Sequence, residues 1–192
     1  MYIWCNMKRH DFSFDIETLG SKPYSIIAAI GCVTFDRRTG EIFETFYKEI
    51  SVEDCKKYKL KSDPNVEAWW KKQPKDLQEC LKGTAELKFT LKDLFNFIIE
   101  KSHNDSVMWG NGSGFDINLL ENAYWACDAN PPWNYWQAND MRTIVTLGKD
   151  IGISLKRDIP RDSAKHNALD DAIYQAKVIS TITKELIRAR QT

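Results

Sequence analysis

Phe12-Ser13-Phe14-Asp15-Ile16-Glu17 alternates apolar and polar side chains with the two-residue period of a β-strand. Leu19-Gly20-Ser21-Lys22-Pro23 breaks that pattern, and Ile26 to Phe35 follows as a long apolar, β-branched run. Arg38-Thr39-Gly40-Glu41 has the composition of a turn, after which Ile42 to Ile50 alternates again. A hairpin preceded by a strand gives three consecutive strands, with a sheet as the nucleus of the fold.

Beyond this unit the pattern turns helical. Asp63 before Pro64 reads as an N-cap with proline at the first helical position, and Gln73-Pro74 as the stop. Thr90-Leu91-Lys92-Asp93 reads as a capping box, with Leu91, Leu94, Phe95, Ile98 and Ile99 as the apolar face behind it. Ser106 to Trp109 is a short strand, stopped by Gly110-Asn111-Gly112-Ser113-Gly114. Helices are expected from about Asp116 to Cys127, from Arg142 to Lys149, and from Asn167 to about Arg188. The last has Leu169, Ala172, Ile173, Ala176, Ile179, Ile182 and Leu186 on its inner face. The order β-β-β-α-α-β-α-α-α describes a mixed α/β domain, and no linker divides residues 1–192. Residues 52–89 are expected to be a helical insertion and residues 1–8 a flexible extension, with Met7 an alternative start to Met1.

With 192 residues, 27 basic and 27 acidic side chains, the chain has enough length for one full core and no net charge. Neutrality argues against a tail-driven nucleic-acid binder, which needs a basic excess to displace counterions. It leaves open an enzyme that meets phosphates through bound metal. No apolar run is long enough to span a membrane. Five cysteines with no C-x-x-C pair fit reduced thiols, and so a cytoplasmic protein without a zinc knuckle.

Three acidic places stand out. Asp15 and Glu17, two apart on a strand, point to one face, and paired carboxylates are best tolerated beside a cation. About four such pairs arise by chance in a chain this acidic, so the pair decides nothing alone. Asp116 follows a Gly-rich turn, where an N-cap aspartate is common. His166 precedes a helix carrying Asp170 and Asp171, and periodicity does not choose between those two. Each place sits at a strand end or helix start, where sheets of this type gather ligands. Four convergent carboxylates would hold two divalent ions about 3.5–4 Å apart, as phosphodiester hydrolysis requires. Oxygen ligands favour Mg²⁺ or Mn²⁺, and a histidine nearby can accept a proton from water.

Taken together, the three motifs resemble those of the DEDDh 3′–5′ exonucleases, which have an RNase H-like fold. Asp15-Ile16-Glu17-Thr18 looks like the first motif, Asn111 through Phe115-Asp116 like the second, and His166-Asn167-Ala168-Leu169-Asp170-Asp171 like the third. The resemblance selects Asp171 over Asp170 and covers residues 12–180. Val66-Glu67-Ala68-Trp69-Trp70-Lys71, Trp109-Gly110-Asn111-Gly112 and Asp140-Met141-Arg142-Thr143 are similar to the phage exodeoxyribonuclease VIII-like branch and a related bacterial exoribonuclease group. In one departure, Gly110-Asn111 stands where the family has His-Asn, with one more residue before Phe115.

The resemblance implies that Asp15, Glu17, Asp116 and Asp171 ligate two Mg²⁺ or Mn²⁺ ions and that His166 is the general base. A 5′-mononucleotide would leave the 3′ end of single-stranded DNA or RNA. Thr18, Leu19, Trp109, Asn111, Phe115 and Arg142 are the expected substrate contacts, with Leu19 beside the last base. Read from the residues alone, Lys156, Arg157, Arg161 and Lys165 fit a basic rim that meets phosphates and a solvated loop equally well, and Trp133 is a further stacking candidate. Trp69 and Trp70 are read first as packing residues. A homodimer is implied by analogy. The competing reading is a catalytically silent nucleic-acid-binding or scaffold module of the same fold.

Overall fold

The computed structural model describes residues 10–112, 114–161 and 167–190. Lys165, His166 and the N-terminal extension fall outside them. Five strands form one sheet: β1 (Asp11–Thr18), β2 (Ile27–Phe35), β3 (Ile42–Glu49), β4 (Met108–Gly110) and β5 (Ala138–Asp140). The spatial order is β3-β2-β1-β4-β5. The first three strands pair antiparallel, whereas β4 runs parallel to β1 and β5 parallel to β4. The three N-terminal strands expected from the alternation are therefore present, joined to a parallel half that brings three strand ends to one edge.

Helices cover both faces. They are α1 (Val52–Lys57), α2 (Pro64–Trp70), α3 (Leu87–Lys101), α4 (Asp116–Ala126), α5 (Met141–Asp150), α6 (Leu155–Asp158) and α7 (Ala168–Ala189). Strand parity divides the core. Phe12, Phe14 and Ile16 of β1 pack with Leu91, Leu94 and Ile98 of α3 and with Leu120 and Tyr124 of α4. Val33, Phe35 and Trp109 face the other way, against Met141 of α5 and Ala172, Ala176, Ile179 and Ile182 of α7. Ser13, Asp15 and Glu17 alternate with the first set, so they lie on the α7 side of the sheet.

Two features place α7. Asn167 caps it, its side chain accepting from the N–H groups of Leu169 and Asp170 at 3.1 Å each. Gly31, which pairs with Asp15 across the sheet, opens a gap for the first turn. A β-carbon at Gly31 would stand 2.2 Å from the Ala168 carbonyl carbon and oxygen and 2.4 Å from the Leu169 nitrogen. The helix start thus lies directly on the strand, which only the missing side chain permits.

Several elements differ from the sequence reading. Helix α3 begins at Leu87, a turn before the expected capping box, and Thr90 is buried within it. Its first N–H is met from outside by Asp54 of α1, whose Oδ2 accepts from Leu87 N at 2.7 Å. Ile99 is 51% exposed, because it follows Ile98 around the helix and turns away from the core. Helices α1 and α6 and the three-residue strand β5 are additional to the elements expected from the sequence. Cys32, Cys55, Cys80 and Cys127 are free and buried. Among the described residues no helix is long and apolar enough to cross a membrane.

Candidate active site

The cleft lies at the carboxyl end of β1 and β4, beside the first turns of α4 and α7. It has a volume of about 440 Å³ and is lined by Asp15, Glu17, Thr18, Val66, Trp69, Trp70, Asn111, Phe115, Arg161 and Asp171 among others. One carboxylate oxygen from each of Asp15, Glu17 and Asp171 lies within 4.8 Å of the others. Asp170, on the same turn of α7, is not part of this group. The expected convergence of the first and third motifs is thus realised, and Asp171 is the member contributed by α7.

Asp116 adjoins the group from the first turn of α4. Its side chain is almost completely buried, and its Oδ2 accepts from the Asn111 N–H at 2.8 Å, closing the loop between β4 and α4. The charge of Asp116 raises the pKa of both Asp15 and Glu17. Gly110 makes room here, since a β-carbon would come within 3.3 Å of Asp116 Cβ and Oδ2.

Burial of so many acids has a cost. Burial, and then the charges of Asp116 and Glu17, hold the Asp15 carboxyl well above the usual range, against the opposing pull of Arg161 and Gln175. Glu17 is pushed up to about 7 by burial and the neighbouring Asp116. Asp116 is pushed up to about 6 by burial, opposed by backbone N–H groups and by Arg142. Carboxylates this close cannot all ionise in a dry site without a compensating charge. Part of that charge is Arg161, whose guanidinium pairs with Asp171 and lies 5.2 Å from the centre of the Tyr174 ring. An all-oxygen donor set at this spacing fits a hard divalent cation.

The other expected contacts divide. Asn111 and Phe115 line the cleft. Arg142 donates from Nε to Asn111 Oδ1 at 3.3 Å, which keeps its positive charge beside the second motif. Thr18 lines the cleft too, but its hydroxyl is engaged by the Gly20 carbonyl at 2.7 Å and its own carbonyl accepts from Trp70 Nε1 at 2.9 Å. Leu19 departs from expectation. It is buried and lines a separate cavity of about 400 Å³ with Val52, Trp70 and Leu81.

Trp109 is a second correction. Strand parity turns it under α5 and α7, where it is buried and donates from Nε1 to Asp11 Oδ2 at 3.3 Å, towards the far end of β1. Trp133 is likewise core, packed on Phe14 and Tyr124 and donating to Glu121. Of the tryptophan pair in α2, Trp70 is buried while Trp69 is 40% exposed on the cleft rim, edge-on to it at 5.1 Å. Arg157 does not project as a free rim charge, because it pairs with Asp158 and donates to the Gly152 carbonyl.

Two further residues belong to the site. Arg161, expected on a basic rim, turns inward to Asp171. Gln175 of α7 donates from Nε2 to Asp15 Oδ1 at 2.7 Å. Its only signal is a polar residue on an apolar helical stripe, one turn after Asp171.

A family model described as the 3′-5′ exoribonuclease Rv2179c-like domain matches residues 10–183. No curated protein matches the chain. Among solved structures, E. coli exonuclease I in complex with a dT13 oligonucleotide has a TM-score of 0.72 and 13% identity, over 96% of this chain and 43% of that one. The nuclease domain of 3′hExo, a DEDDh family member bound to rAMP, has a TM-score of 0.64 and 15% identity, over 96% and 94%. S. pombe Pop2p in its Mg²⁺- and Mn²⁺-bound form has a TM-score of 0.63 and 16% identity, over 92% and 83%. The likeness at these identities is one of fold, the RNase H-like fold of such exonucleases. The chain spans less than half the length of the exonuclease I chains it matches.

Proposed function

The chain belongs to the 3′-5′ exoribonuclease Rv2179c-like family, and from that premise we propose that it is a metal-dependent 3′–5′ exonuclease. Its substrate is the 3′ end of single-stranded nucleic acid, RNA before DNA, and its product a 5′-mononucleotide. The observation that carries this reading is the partly buried group of Asp15, Glu17 and Asp171 oxygens within 4.8 Å of one another at the edge of an open cleft. The description of the family supports the choice of RNA.

Asp15, Glu17 and Asp171 would hold Mg²⁺ or Mn²⁺, with Asp116 completing a site for two ions. When bound, such ions lower the pKa of a coordinated water and offset the charge that builds on the phosphate. The chain supplies the rest. Asp116 is held by the Asn111 N–H, so its carboxylate needs little reorganisation. Arg142, anchored on Asn111, presents positive charge to the phosphates. Phe115 and the half-exposed Trp69 offer apolar surface to the terminal base. His166 takes the proton of the attacking water on an imidazole nitrogen, a role that rests on its place in the third motif.

A catalytically silent module of the same fold would leave Asp15, Glu17, Asp116 and Asp171, present together, without a role. The test is degradation of 3′-labelled single-stranded RNA and matched DNA with Mg²⁺ or with EDTA, using wild type and Asp15→Ala. Mg²⁺-dependent release of labelled 5′-mononucleotide, faster on RNA and absent in Asp15→Ala, is expected. Absence of metal-dependent shortening on either substrate overturns the proposal.

A further inference from the structure

Behind the acidic group, Gln175 is a buried polar residue among buried apolar residues of α7. It is only 2% exposed, and Ala168, Ala172 and Ile179 share its stripe of α7. A buried amide is costly unless its hydrogen bonds are made. Its Nε2 has one bond, to Asp15 Oδ1 at 2.7 Å, and its Oε1 has no partner among the described residues. An aliphatic side chain would satisfy the packing without leaving an orphan oxygen. The amide is therefore explained by what it does to Asp15.

We infer that Gln175 is a positioning residue for the cation site, fixing the Asp15 carboxylate from below so that its remaining lone pairs face Glu17 and Asp171. The inference rests on the metal-site reading above. Gln175 lies one helical turn after Asp171, so both project from the same side of α7. One rigid helix thus carries a ligand and the group that orients a second ligand. The bond joins residues 160 positions apart, α7 to β1, at the level where Gly31 lets the helix touch the sheet. Hydrogen bonds of this kind orient metal ligands, and their loss commonly lowers metal affinity or activity by about 10- to 100-fold.

The test compares full-length wild type with Gln175→Leu, which keeps the bulk and removes the amide. Mn²⁺ binding to metal-free protein is followed by electron paramagnetic resonance of the free ion, and melting is measured without metal. Mn²⁺ affinity is expected to fall about 10- to 100-fold, with a metal-free Tm equal to or above that of wild type. Turnover should return towards the wild-type kcat as Mn²⁺ is raised. Should Gln175→Leu fail to fold, Gln175→Met serves the same comparison. Equal Mn²⁺ affinity in wild type and variant overturns this inference alone, and so does a lower metal-free Tm with unchanged affinity. Failure of wild type to take up Mn²⁺ overturns the metal-site reading and this inference with it.

Discussion

Replacing Gly31 by alanine perturbs the site without touching any of its side chains. The added methyl would meet the Ala168 carbonyl at 2.2 Å and the Leu169 nitrogen at 2.4 Å, both backbone atoms that no rotamer can move. Ordinary contact begins at 3.4 Å, so the first turn of α7 must retreat by about 1.2 Å. The φ of Gly31 is not positive, so the effect is steric and not one of backbone strain. Overpacking of this kind costs about 1–3 kcal/mol. The catalytic effect should be larger, because Asp171 leaves Asp15 by about 1 Å, and such a misplacement can cost on the order of 100-fold in rate. Thermal melting and single-turnover degradation of labelled RNA measure the two effects. Gly31→Ala is expected to remain folded, to bind Mn²⁺ more weakly and to lose about two orders of magnitude in rate. Wild-type rate together with wild-type Mn²⁺ affinity would refute the claim that this contact sets the site.

The raised carboxyls make metal-free stability depend on pH. Glu17 moves from 4.5 to about 7 and Asp116 from 3.8 to about 6, so each favours folding while protonated. Their contribution is complete below the ordinary carboxylate range and lost as pH rises through about 6 to 7, so the gain in Tm on adding Mn²⁺ should be larger at pH 8 than at pH 5. Equal gains would contradict the electrostatic account. Glu17→Gln removes one of the repelling charges and should stabilise the metal-free protein at pH 8 by about 1–3 kcal/mol while abolishing turnover. Chemical denaturation checks the first effect, and a destabilised variant would show that the group is not strained by its own charge. Asp54→Ala removes the acceptor for Leu87 N and the partner of Lys57, and should cost about 1–2 kcal/mol with Mn²⁺ affinity unchanged. A loss of affinity there would mean that α3 is coupled to the cleft in a way its packing does not suggest.

The part of the site written in local pattern was readable in advance. Two-residue alternation put Asp15 and Glu17 on one strand face, and the Gly-rich break put Asp116 at a helix start. Asp171 was chosen over Asp170 by motif resemblance, because both lie off the apolar stripe. What failed depended on distant partners. Trp109 is next to the second motif in sequence, yet its direction follows from pairing with Ser13 of β1. The cap of α3 comes from Asp54, 33 residues away, a partner that the local pattern around Thr90 does not contain. Strand β5 has three residues and exists only through its ladder with β4. Gln175 and Gly31 gain their meaning where α7 lies across the sheet, a juxtaposition that no local window contains.

If the carboxylates at the end of β1 and the start of α7 form a divalent-cation site, anomalous diffraction from a crystal soaked in Mn²⁺ will locate the ion. Manganese peaks are expected within coordination distance of Asp15, Glu17 and Asp171, with Asp170 outside the ligand shell. A well-soaked crystal with an empty cleft, or with manganese held by Asp170 in place of Asp171, would contradict that assignment.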